Sequence, residues 1–218
     1  MENLDPVELS RQLKKPTGKT GSKVANKLNE SNQKLYELGW KMLETEGLRQ
    51  VLEIGFGNGR HLSHYFEMNP DVTITGVDFS EEMCEAARSF HPDLIANNRL
   101  TIHCADAADM PVPDQSFDLV VGLNIIYFWD PPKPYLNEIA RVLKPSGKLL
   151  LGYRPRNSVE HLEFTKQNFI HYEPEELNIL LSQYDFNIIY EQKNVYEKEA
   201  ADGNPVEITD ACLLAERQ

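Results

Sequence analysis

From residue 49 onward, short apolar runs alternate with amphipathic stretches. RQVLEIG reads as an apolar strand ending in glycine, and GRHLSHYFEMN reads as the helix after it. DVTITGVDFS is rich in β-branched residues and reads as a second strand. Met83, Ala86, Ala87 and Phe90 then mark an apolar helical face. Ser80 is placed to cap that helix, and Glu81 and Glu82 stand in its first turn, at the positive end of the dipole. RLTIHCAD is a third strand and SFDLVVGLNIIYF a longer buried one with its exit. Leu136, Ile139, Ala140 and Leu143 recur at helical spacing, after which KPSG turns into the strand KLLLGYR. Pro174, Glu175 and Glu176 open a further helix whose stripe is Leu177, Leu180, Leu181 and Tyr184. DFNIIYEQK and, past a Gly-Asn-Pro break at 203–205, EITDACLLAERQ complete the strands. This alternation predicts an α/β fold: a mostly parallel, doubly wound sheet with helices on both faces.

The first 48 residues follow another pattern. LKKPTGKTGSKVANKLNES carries Lys14, Lys15, Lys19, Lys23 and Lys27 among Pro16, Gly18 and Gly21, and reads as a mobile, locally basic arm. Leu35, Leu38, Met42 and Leu43 predict a helix running up to Gly47. The chain therefore divides into an arm and helix over 1–48 and a domain over 49–218. Residues 10–32 are expected to act as a lid that orders over ligands, the alternative being a passive tail.

Composition narrows the partners. The 218 residues suit one domain with an appendage. Lys plus Arg is 22 and Asp plus Glu 34, so the net charge is −12, which disfavours phosphate backbones and anionic bilayers. Nucleic acid is not expected as a partner, and the oligomeric state stays open. The longest apolar stretch, Leu119 to Trp129, falls short of the roughly 20 residues of a membrane span. Cys84, Cys104 and Cys212 are odd in number and lack metal-ligand spacing, so no metal is expected and a reducing compartment is. MENLDPVELSRQL is charged and unlike a signal peptide. The expected location is the cytoplasm. His61 and His64 are expected to be structural or solvent-facing, and His171 is a weaker candidate near an acceptor site.

The chemistry concentrates at strand ends. In VLEIGFGNGR, Gly55, Gly57 and Gly59 fall where the first strand turns into the first helix and let the backbone approach a ligand. The spacing is G-x-G-x-G rather than the dinucleotide G-x-G-x-x-G, and the Glu53 carboxylate would repel a pyrophosphate. Asp78 ends the second strand, 78 − 55 = 23 residues past the first glycine, near the offset of a ribose-binding acid. Asp106 ends the third strand, placed to accept from an adenine amino group, whereas Asp118 lies inside a strand and is expected to be structural.

The ordered set LEIGFGNG, GVDFSEEM, ADAADMPVPDQSFDLVV and RVLKPSGKLLL resembles the class I S-adenosylmethionine-dependent methyltransferases over residues 49–218. The resemblance implies a seven-stranded Rossmann-like sheet ordered 3-2-1-4-5-7-6, with the last strand antiparallel. It implies S-adenosyl-L-methionine as cofactor. Glu53, Gly55, Gly57 and Gly59 would line its methionine and ribose side, and Asp78 would hold the ribose hydroxyls. Phe79 and Met83 would flank the adenine, Asp106 and Ala107 would meet its edge, and Asn124 and Ile125 would approach the sulfonium. The acceptor would be a small molecule, with Tyr127, Phe128 and Trp129 as candidate walls and Asn32, Tyr36 and Arg154 as further candidate contacts. In-line displacement does not demand a catalytic side chain, and none is assigned. The rival readings are a nucleotide-dependent oxidoreductase on a similar sheet and a non-catalytic, methyltransferase-like subunit.

Overall fold

A computed structural model describes residues 4–43, 47–199 and 205–218. Seven strands form one sheet: β1 (Gln50–Ile54), β2 (Thr73–Asp78), β3 (Leu100–Cys104), β4 (Phe117–Leu123), β5 (Leu143–Tyr153), β6 (Phe186–Glu199) and β7 (Pro205–Arg217). Their order is β3-β2-β1-β4-β5-β7-β6. β7 runs antiparallel to both neighbours, while the pairs from β3 to β5 are parallel. The order and the reversed last strand are those expected. The expected break at 203–204 lies outside the described residues.

Register brings the functional strand ends together. Ile54 pairs with Val77 and Gly122, and Asp78 pairs with Cys104. Ile54, Asp78, Cys104 and Leu123 therefore finish at one edge of the sheet. Alternation along the buried strands feeds two cores. Val51, Leu119, Val121 and Leu150 pack on one face, and Leu52, Val120, Leu149 and Leu151 on the other.

The helices divide accordingly. α1 (Pro6–Lys14), α2 (Gly18–Ser31) and α3 (Gln33–Lys41) precede the sheet. α4 (Ser63–Met68), α5 (Glu81–Phe90) and α6 (Pro92–Ala96) follow β1 and β2. α7 (Lys133–Val142), α8 (Arg156–Val159) and α9 (Pro174–Ser182) follow β4 and β5. Leu35 and Leu38 of α3 are buried with Leu62 and Cys84, on the face opposite Leu136 and Ile139 of α7 and Leu177 and Leu181 of α9. α9 starts in a capping box formed by Glu173 and Glu176.

Three local expectations need correcting. The lysine-rich arm is regular: α1 and α2 occupy it, joined by a turn at 15–17, and Val24 and Ala25 are buried. α3 stops at Lys41 rather than running to Gly47, with residues 44–46 outside the described set. Ser80 is the residue before α5 but does not cap it; its hydroxyl donates instead to the Pro16 carbonyl at 2.7 Å. A serine so placed has a choice of acceptors, and the turn between α1 and α2 takes the bond.

Candidate functional site

The β1 exit is built on positive φ. Gly55 (φ +68°) donates its amide to the Val77 carbonyl, and a Cβ on it would lie 2.4 Å from Ile125 Cγ2. Gly57 (φ +59°) has no neighbour within 4 Å of the same position, so its Cα faces open space. Its amide donates to Asp78 Oδ2 at 3.0 Å, and the Ser80 amide donates to Asp78 Oδ1 at 2.9 Å. Burial pushes the Asp78 carboxyl up to about 6, against the opposing pull of those two amides and of Lys15.

This loop walls a cavity of about 330 Å³, within the roughly 300–1,000 Å³ range of small-molecule sites. Gly55, Gly57, Asp78 and Phe79 line one side; Asp106, Ala107, Asn124, Ile125 and Trp129 line another; Asn32 and Tyr36 reach it from the amino-terminal helices. With Phe128, twelve of the expected contacts thus meet around one space. The ammonium of Lys15 lies 5.0 Å from the centre of the Phe79 ring. Asp106 Oδ1 accepts from the Ala108 amide at 2.9 Å.

Five expected contacts are not among the lining residues. Glu53 is buried beneath the loop, where its Oε1 lies 2.5 Å from His61 Nε2. The His61 ring stacks on Tyr36 with centroids 4.3 Å apart, which gives this histidine a structural place. Gly59 opens the 3₁₀ turn 60–62, and its carbonyl accepts from His91 Nε2 at 2.7 Å. Met83 is 1% exposed, inside the core. Tyr127 and Arg154 line a neighbouring cavity of about 240 Å³ instead. Arg154 pairs with the fully buried Asp210 at 2.9 Å. His171 lines neither cavity; its Nε2 donates to the carbonyl of Thr165, a wall of the second cavity, at 3.0 Å. Asp118 takes the amides of Arg49 and Gln50 and the ammonium of Lys144, a structural role.

Other walls escaped the sequence reading. Leu13, Lys14, Pro16, Ala25, Leu28 and Asn29 come from the supposed arm. Tyr135, one turn into α7, stacks on Trp129 with centroids 5.4 Å apart. Asn58 was readable, since it stands inside GFGNG; its amide nitrogen donates to Asn26 Oδ1 at 3.3 Å, tying the loop to α2. No group of three or more metal-ligating side chains occurs among the described residues, and no helix there is long and apolar enough to cross a membrane.

The cavity's donor set fits S-adenosylmethionine. A bare glycine edge at Gly57, a buried carboxylate at Asp78 and an aromatic at Phe79 suit a nucleoside with no phosphate. Residues 52–151 match the model of a family described as a methyltransferase domain. The chain is 34% identical over 127 residues to 27-O-demethylrifamycin SV methyltransferase of Amycolatopsis mediterranei, covering 57% of this chain and 46% of that protein. It is 32% identical over 140 residues to the fatty-acid O-methyltransferase of Mycolicibacterium smegmatis, covering 64% and 49%. The chain thus spans about half the length of these curated relatives. The crystal structure of YcgJ from Bacillus subtilis superposes with a TM-score of 0.68 at 20% identity, covering 85% of this chain and 99% of that one. The strand order and the glycine loop agree with the domain match over residues 52–151, and together they show the fold of a class I S-adenosylmethionine-dependent methyltransferase domain.

Proposed function

We propose that this protein moves the methyl group of S-adenosylmethionine to a small-molecule acceptor by in-line displacement. The observation that carries the reading is the Asp78 carboxylate, fixed by the Gly57 and Ser80 amides at the mouth of the glycine loop. When bound, the cofactor supplies a methyl group already made electrophilic by its sulfonium. The chain's own groups then bind and align. Asp78 accepts from the ribose hydroxyls, Phe79 covers one adenine face, and Asp106 and Ala107 meet the adenine edge. The open side of Gly57 lets the backbone approach. Asn124 and Ile125 stand toward the reacting end. Shielding from water comes from α1, α2 and the turn between them, whose Leu13, Leu28 and Pro16 roof the cavity.

The same reading divides the chain into a lid-bearing segment over 1–48 and a catalytic domain over 49–218. It also places the protein in the cytoplasm, in keeping with Cys84, Cys104 and Cys212 being free thiols. Small-molecule acceptors agree with what the named relatives methylate. Calorimetry with S-adenosylmethionine and with a nicotinamide dinucleotide tests the cofactor. Binding of the first alone is expected, and binding of the second alone would reverse the reading. Release of label from the methyl group into a metabolite extract separates an enzyme from a non-catalytic subunit.

A further inference from the structure

The 240 Å³ cavity adjoins the first one, because Asn32, Asn124 and Phe128 belong to the walls of both. Its volume lies just under the usual roughly 300–1,000 Å³ range, so it suits a small body. That body would sit among rings. Phe169 lies 4.7 Å from Phe128, 5.5 Å from Tyr127 and 6.1 Å from Phe164, centre to centre. Val159 and Leu162 complete an apolar wall.

The cavity's charges are spoken for. The Arg154 guanidinium is held by Asp210 at 2.9 Å and donates to the Ser31 carbonyl at 2.9 Å. It is therefore not free to receive an anionic group. Lys198 is exposed at the rim, where solvent screens it. The polar groups at the junction are amides. The Tyr127 hydroxyl donates to Asn124 Oδ1 at 3.0 Å and so orients that side chain. Asn32 is only 7% exposed, and its Oδ1 is buried without a partner. A buried acceptor in that condition calls for a donor from a ligand. Among the described residues shared by the two cavities, none carries a base: they are Leu13, Leu28, Asn32, Asn124 and Phe128.

We infer that the second cavity is the acceptor site and takes a small aromatic molecule whose nucleophile is an uncharged nitrogen bearing a hydrogen, held by Asn32 Oδ1. This rests on the methyltransferase reading above. The nitrogen lone pair forms the new N–C bond while the C–S bond breaks and its electron pair goes to sulfur. The sulfonium becomes a neutral thioether. The methylated nitrogen, now cationic, gives its proton to water, so no protein base is needed. A hydroxyl would have to lose its proton to attack well. A carboxylate would set a negative charge against the Asn32 oxygen.

The test uses the full chain saturated with S-adenosylhomocysteine and four probes: benzimidazole, aniline, toluene and benzoate. Dissociation constants are read by ligand-observed nuclear magnetic resonance. Benzimidazole and aniline are expected to bind about tenfold tighter than benzoate and toluene, neither of which offers a donor, the size of effect one buried hydrogen bond gives. Asn32→Leu should erase that preference. Val159→Trp, which fills the second cavity alone, should weaken all four probes while calorimetry finds S-adenosylhomocysteine still bound. Toluene or benzoate binding as tightly as the N–H compounds, a preference that survives Asn32→Leu, or faster label transfer from S-adenosylmethionine to phenol than to aniline overturns the proposal. Failure of the parent protein to bind S-adenosylhomocysteine would instead bring down the methyltransferase reading and this one with it.

Discussion

The amide of Gly57 donates to Asp78 Oδ2 across 3.0 Å, joining the first glycine loop to the end of the second strand. That bond holds the carboxylate where a ribose would sit, in a place buried enough to raise its pKa to about 6. The raised value sets two signs. In the ligand-free protein, the Asp78 contribution to stability is fully present below the ordinary value of 3.8 and is lost as pH rises through about 6. On the proposed reading ribose hydroxyls donate to the ionised form, which gives cofactor binding the opposite slope. Affinity for S-adenosylmethionine should fall about tenfold per pH unit below about 6. Calorimetry between pH 5 and 8 on the parent and on Asp78→Asn checks this; a slope that persists in the variant assigns it to another group.

Gly55 and Gly57 separate packing from ligand approach. Both have positive φ, so each alanine variant carries backbone strain of about 1–2 kcal/mol. Only at position 55 does the new methyl collide, with Ile125. Gly55→Ala should therefore melt well below Gly57→Ala. Gly57→Ala should stay folded and lose cofactor affinity, since its methyl projects into the open side of the loop. Thermal melts beside calorimetry decide it, and equal melting points for the two would refute the distinction.

The contact between Glu53 and His61 predicts a stability effect. Side chains 2% and 9% exposed face each other at 2.5 Å. Glu53→Ala leaves His61 without its hydrogen-bond partner in the core, at a cost of about 1–3 kcal/mol. At about 2–4 °C per kcal/mol for a chain of this size, the fall in Tm is large and visible by calorimetric scan. A change under about 1 kcal/mol would mean that the pair adds little to the fold.

The central strands and the glycine loop were legible in the sequence because periodicity and turn chemistry are local. VLEIG, VTITGVD and FDLVVGL are buried runs, and the strand-end residues Asp78, Asp106 and Asn124 fall at the cavity by register alone. Glu53 was misplaced for the same reason. Its position in the motif is right, but which way the side chain turns depends on His61, eight residues on. The amino-terminal helices were hidden by Pro16, Gly18 and Gly21, which read as an arm. Pro16 in fact lies in the turn between two helices, Gly18 opens the second, and Gly21 allows the close approach of α2 to Pro16. Arg154 met Asp210, 56 residues away, a partner no local pattern reveals.

That turn supplies the last prediction. Ser80 Oγ donates to the Pro16 carbonyl at 2.7 Å, and Glu82 Oε1 accepts from the Gly18 amide at 3.0 Å. Two bonds thus clamp the α1–α2 turn onto the start of α5, beside Phe79. Lys14 and Pro16 are also walls of the first cavity, so on the proposed reading the clamp closes the adenine end rather than the acceptor end. Opening it should expose the site and weaken the cofactor. Each lost bond corresponds to about 0.5–1.5 kcal/mol, so Ser80→Ala with Glu82→Ala should cost about tenfold or slightly more in affinity. Hydrogen exchange at residues 12–20 should quicken in the double variant while β1 and β4 stay protected. Added S-adenosylmethionine should slow exchange there in the parent more than in the variant. If the double variant binds the cofactor as tightly as the parent while its turn exchanges faster, α1 and α2 cover the site without contributing to binding, and the clamp serves only to hold the helices in place.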